Sequence, residues 1–137
     1  MAQSFRELVV WQRAMELTVA VYRLTRDFPR EEMFGLTSQI RRAAVSIPSN
    51  IAEGHGRLTG GEFKNFLGIA RGSNFELQTQ LEIARALNFG QQELVSETEN
   101  LSHEVGKMIY ALLESVKDQI RPESAEAWRC PSRNWPC

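Results

Sequence analysis

Apolar residues return along this chain at alternating intervals of four and three, in four separate runs. That spacing lays them along one face of an α-helix. In the first run Val10, Ala14, Leu17, Val21, Leu24 and Phe28 form a seam, and Leu8, Trp11, Met15 and Tyr22 form a second stripe beside it. The pattern predicts a helix from about Phe5 to Arg26, wide enough on its apolar side to touch two neighbours. Asp27-Phe28-Pro29 ends it, because a proline disfavours helical geometry at the residue before it.

The second run is Leu36, Ile40, Ala44, Ile47 and Ile51. Its helix is predicted to start between Glu31 and Leu36 and to end near Gly54–Arg57. The other faces carry small residues, Ala43, Ser46, Ser49, Ala52 and Gly54, which let neighbouring backbones come close. Packing on more than one side, by the same bundle and by another subunit, is the expectation. Pro48 lies inside the pattern and is expected to kink or break the helix, since it has no amide to donate and its ring collides with the carbonyl of Ala44.

The third run opens on Thr59-Gly60-Gly61-Glu62, the spacing of a capping box. Phe63, Leu67, Ala70, Asn74, Leu77, Leu81 and Ala84 follow as a seam with one amide in it. By analogy with coiled coils, a buried amide there fixes packing register; the alternative is a polar group in a pocket. Asn88-Phe89-Gly90 supplies a turn in which Asn88 or Gly90 takes positive φ. The fourth helix is predicted from Gln91–Leu94 to Arg121-Pro122. Its seam is Leu94, Thr98, Leu101, Val105, Met108 and Leu112, with Ile109, Leu113, Val116 and Ile120 beside it. Four amphipathic helices on short turns predict an all-α, antiparallel up-down-up-down four-helix bundle over residues 1–120. Residues 121–137 hold three prolines and no helical period, and read as a flexible tail.

Many of these residues also carry a family likeness. Trp11 with Ala14, Phe28-Pro29, Gly35-Leu36-Thr37 and Gln39-Ile40-Arg41-Arg42-Ala43 come first. Ser46-Ile47-Pro48-Ser49-Asn50-Ile51-Ala52-Glu53-Gly54, Arg57, Phe66-Leu67, Ala70-Arg71-Gly72-Ser73 and Glu76-Leu77 continue it. In order and spacing they resemble the small four-helix-bundle proteins encoded in intervening sequences of bacterial 23S ribosomal RNA genes. The accessory variability protein of diversity-generating retroelements is similar. The resemblance covers about residues 5–120 and implies a homopentameric ring, with nucleic acid as the usual suggested ligand. The tail departs from the family pattern.

Composition narrows the functional classes. The chain has 137 residues, 42% hydrophobic and 24% charged, a single soluble domain by size and balance. No apolar run reaches the ~20 residues of a membrane helix. The first ten residues lack a signal-peptide core, so a cytoplasmic location is expected. Cys130 and Cys137 lie in the last eight residues. They cannot make a four-ligand zinc site alone, and reduced thiols are the expectation. A di-metal bundle site needs Glu-x-x-His pairs; Ala52 precedes His55 by three and Asn100 precedes His103 by three, so neither forms one. Ser46, Ser49 and Ser73 are better explained as helix serines than as nucleophiles. The glycines from Gly54 to Gly61 follow no strand and lack the lysine of a nucleotide loop. The chain is read as a non-enzyme without metal or cofactor.

The arginines hold more interest. Net charge is −1 overall, short of the basic footprint of a dedicated DNA-binding domain. One reading assigns Arg41, Arg42, Arg57, Lys64 and Arg71, joined by Arg13 or Arg23, to phosphates, with Phe75 stacking on a base. The other uses Arg42, Glu53, Arg71 and Glu76 in structural ion pairs and subunit contacts. Trp11, Ser46, Pro48, Ser49, Glu53 and Asn74 are assigned to packing and assembly. RNA or DNA is the expected partner; the alternative is an adaptor that binds a protein such as a reverse transcriptase, with the acids Glu93, Glu97, Glu99 and Glu104 as a docking face.

Overall fold

The computed structural model describes residues 4–119. These contain four α-helices and no strand: α1 Val9–Thr25, α2 Leu36–His55, α3 Gly60–Ala86 and α4 Gln92–Gln119. Each helix lies against two others, α1 on α2 and α4, and α3 on α2 and α4. One core runs between them. The predicted seam of α1 is buried throughout, from Val10 to Phe28, and so are Ile40, Ala44, Ile47 and Ile51 of α2. In α3, Leu67, Ala70, Asn74, Leu77, Leu81 and Ala84 are buried as the spacing predicts. The predicted tail, with Cys130 and Cys137, lies outside the described residues.

Four local outcomes differ from the sequence pattern. The first helix starts at Val9, not Phe5. Ser4 Oγ accepts the Arg6 amide at 3.2 Å and caps a 3-10 turn over Phe5–Glu7. Leu8 is then extended (φ −71°, ψ 122°), which separates that turn from the helix.

Pro48 does not break α2, which stays helical from Leu36 to His55. Proline has no amide for the Ala44 carbonyl. That carbonyl instead accepts from Thr18 Oγ1 of α1 at 3.2 Å. The same hydroxyl lies 2.8 Å from the Ala14 carbonyl, so its proton is shared. The proline ring is buried.

The third difference concerns α4, whose buried line runs through Val95, Thr98, Ser102, Val105, Ile109 and Val116. Leu94, Leu101, Met108 and Leu112 are only half-buried. The helix is turned toward Ser102, a polar residue that an apolar pattern skips. Ser102 is buried because Asn74 needs it: its hydroxyl donates to Asn74 Oδ1 at 2.7 Å, and Asn74 Nδ2 donates to its carbonyl at 3.0 Å.

In the capping box, Thr59 Oγ1 accepts the Glu62 amide at 3.1 Å as expected. Glu62, however, accepts from the Thr59 hydroxyl rather than from its backbone, at 3.3 Å.

Two glycines hold the connections tight. A Cβ at Gly54 would lie 2.6 Å from Phe66 Cβ, so only glycine allows α2 and α3 to meet there. Gly90 has φ of 74° and a Cβ there would lie 2.7 Å from a Leu24 methyl. Asn88, at φ 57°, is left-handed as well, so both candidate turn residues take that conformation.

Candidate nucleic-acid interface

The five cations assigned to phosphates do not share one surface. Arg41 points along α2 toward α1. Its Nε donates to Thr25 Oγ1 at 2.8 Å and its guanidinium sits 4.6 Å from the centre of the Tyr22 ring. Thr25 is free to accept because its own proton goes back to the Val21 carbonyl. Arg42 is exposed, four residues before Ser46 on the side of α2 that meets α3. Together they flank a groove of about 590 Å³ over α2, with Tyr22, Met33, Phe34 and Val45 as its apolar wall.

Arg57 follows α2 and is taken up locally. It pairs with Glu53 at 2.9 Å and lies 4.9 Å over the Phe66 ring. Lys64 is exposed on the second turn of α3. Arg71 lies further along α3, toward α4, over the rings of Phe75 (5.3 Å) and Tyr110 (5.8 Å). A second groove of about 570 Å³ opens there between α3 and α4. Gly106 gives it depth: a Cβ at that position would come within 3.1 Å of Asn74 Nδ2.

The packing residues fall into distinct roles. Ser46 and Ser73 hydroxyls meet at 2.8 Å where α2 crosses α3, and Asn50 Nδ2 donates to both the hydroxyl and the carbonyl of Ser46. Ser49 is exposed and bonds back to the Val45 carbonyl. Trp11 is half-buried and packs edge-on against Phe5, 5.2 Å between ring centres. Asn74 is buried on Ser102, whose hydroxyl also accepts from Gln78 Nε2 at 3.0 Å.

Ion pairing tests the alternative use of the charges. Among the described residues the pairs are Arg13 with Glu16 and with Glu104, Arg57 with Glu53, and Arg85 with Glu99. Arg41, Arg42, Lys64 and Arg71 are in none of them. Glu76 accepts from Gln80 at 3.2 Å, not from an arginine. Arg13, a candidate phosphate ligand, is held by two acids. Arg85 donates to Glu99, and that hydrogen bond first, then the charge of Arg85, holds the Glu99 carboxyl below the ordinary carboxylate range.

The sequence pattern did not single out the α4 side of the second groove. His103 and Lys107 line it, and Tyr110 stands beside it under Arg71. They follow one another at four and three, so a polar and aromatic stripe was present to be seen; its meeting with Arg71 and Phe75 comes only from packing. Among the described residues no helix is long and apolar enough to cross a membrane, and no group of three or more His, Cys, Asp or Glu is placed to hold a metal.

Comparisons agree with this architecture. The profile of the 23S rRNA-intervening sequence protein family matches residues 6–111. No curated protein matches the chain. A solved structure from Bacteroides thetaiotaomicron, a protein with unknown function from the S23 ribosomal protein family, is similar at 26% identity. It superposes with a TM-score of 0.71 over 77% of this chain and 96% of that one. With four helices on one core and a profile match across most of its length, the chain belongs to the 23S rRNA-intervening sequence protein family.

Proposed function

We propose that this protein is a non-enzymatic, homo-oligomeric accessory protein that binds nucleic acid through the cations of α2 and α3. The helices run up-down-up-down in this reading, supported by Gly60 lying near Val116, Asn74 meeting Ser102 and Arg85 meeting Glu99. The subunits form a cytoplasmic ring, pentameric by family resemblance. The nearly bare flanks of α3, where a Cβ at Gly68 or Gly72 would touch nothing, leave room for a neighbour.

One observation carries the nucleic-acid reading: Arg41, Arg42, Lys64 and Arg71 have no acid within ion-pairing distance in the described residues. Arg42, Lys64 and Arg71 are exposed, and Arg41 is half-buried on Thr25; cations that no carboxylate neutralises remain available to phosphate oxygens. A single subunit offers few of them. Repetition around a ring would make weak contacts act together. The experiment is the double variant Arg42→Glu with Arg71→Glu. RNA affinity should fall while the far-UV helical signal and the solution mass stay the same. Unchanged affinity in that folded double variant sinks the assignment.

The adaptor reading keeps one specific support. Phe34 is 94% and Leu58 98% exposed, just before the starts of α2 and α3. Large apolar side chains so open to water suit a protein contact, between copies of this chain or with a partner such as a reverse transcriptase. A nearby reverse-transcriptase gene in the source genome would favour the latter.

A further inference from the structure

The groove between α3 and α4 has a different chemistry from the cations along α2. Phe75, on the α3 wall, and Tyr110, beside the groove on α4, are 51% and 54% exposed. Arg71 lies over both rings, while His103 and Lys107 line the α4 side and Gln78 the α3 side. From Phe75 to Gln78, and from His103 to Tyr110, these groups span about 5–10 Å of helix at 1.5 Å per residue. Two half-exposed aromatic rings beside two cations and an amide make a base-stacking platform with phosphate ligands at its edge.

Resting on the nucleic-acid reading above, we infer that this groove takes unpaired bases of a single strand, and is not a second patch for duplex backbone. A duplex covers the faces of its bases, so it could reach Arg71 and Lys107 but not the rings. The floor is preorganised: Asn74, Ser102 and Gln78 are joined by hydrogen bonds of 2.7–3.0 Å, and Gly106 keeps the space above them open. The groove also has a polarity. Beyond Gln78 and His103 it continues to Glu82 and Glu99. Arg85 pairs with Glu99 and also feels the charge of Glu82, so two carboxylates share one cation there and that end stays acidic, which repels a phosphate. The strand is therefore held at the Arg71–Lys107 end.

The test measures anisotropy with a short single-stranded RNA, its blunt duplex and an abasic strand of the same length. The intact single strand should bind tightest. Phe75→Ala and Tyr110→Ala should each weaken it about tenfold, within the roughly 5- to 150-fold that one lost stacking contact represents, with no change in salt slope. Lys107→Gln should flatten the slope by about 0.7, one phosphate on a single strand. Glu82→Gln should tighten binding. Arg42→Glu should weaken all three ligands and leave their ratios alone. Equal binding of intact and abasic strands overturns the inference while the electrostatic reading stands. No binding to any ligand removes both. A change in solution mass in Phe75→Ala or Tyr110→Ala also overturns it, by making this face a subunit contact.

Discussion

Thr18→Val tests how a helix carries a buried proline. Valine keeps the shape of the side chain and removes the hydroxyl that lies 3.2 Å from the Ala44 carbonyl. Ala44 has no exposed surface. A buried acceptor left without its donor costs about 1–3 kcal/mol. The Thr18 proton is shared with the Ala14 carbonyl, so the low end applies, about 1–2 kcal/mol. In a Pro48→Ala background the same change should cost close to nothing. Alanine in place of the proline brings back the amide that bonds the Ala44 carbonyl, and Thr18 then only bonds back to Ala14, whose carbonyl is already within its own helix. The expected coupling in the double-mutant cycle is therefore about 1 kcal/mol. Urea unfolding followed by far-UV dichroism on the four proteins measures it. One protomer concentration must be used, because assembly adds to apparent stability. An equal cost of Thr18→Val in both backgrounds refutes the account.

Other outcomes follow from the same geometry. Asn74→Ala should cost about 2–4 kcal/mol, since it removes two hydrogen bonds and leaves the buried Ser102 hydroxyl proton without its acceptor, Gln78 only donating to that oxygen; adding Ser102→Ala should return part of that loss in a thermal melt. Gly54→Ala should destabilise by about 1–3 kcal/mol in urea unfolding, the usual range for overpacking, because its Cβ falls 2.6 Å from Phe66 Cβ. Glu99→Gln should change the acid limb of stability. The folded Glu99 carboxyl sits lower than its ordinary value of 4.5, chiefly through the Arg85 hydrogen bond. Its contribution is thus present above that value and fades as pH falls through the lower folded one, an effect kept small by water around Arg85. Urea midpoints for wild type and Glu99→Gln should converge below pH 4.5; a constant gap down the acid limb would contradict the assignment.

Much of the fold was legible because burial follows helical period. The seams of α1, α2 and α3 are buried where the four–three spacing places them. Reading failed where a polar residue is held in the core by bonding another. Ser102 looks like a surface serine, yet Asn74 draws it inside and rotates α4 so that Val95 and Ile109 replace Leu94 and Met108 in the core. Pro48 misled for a similar reason. Its local rule held, and the missing amide was compensated by Thr18, a residue 26 positions away from Ala44. The site was less legible. Arg41, Arg42 and Arg71 were visible as cations, but their separation into two grooves, and the joining of Arg71 to Tyr110 and Lys107, depend on which helices are neighbours.

The measurement closest to the central claim is binding of structured RNA and duplex DNA across a salt series, with solution mass recorded on the same sample. If Arg41, Arg42, Lys64 and Arg71 engage phosphates, log affinity for the duplex should fall with log salt at a slope of about −0.9 per phosphate. The account predicts an oligomer whose slope corresponds to several phosphates. An oligomer that binds neither ligand at low salt would contradict it and turn the search to a protein partner.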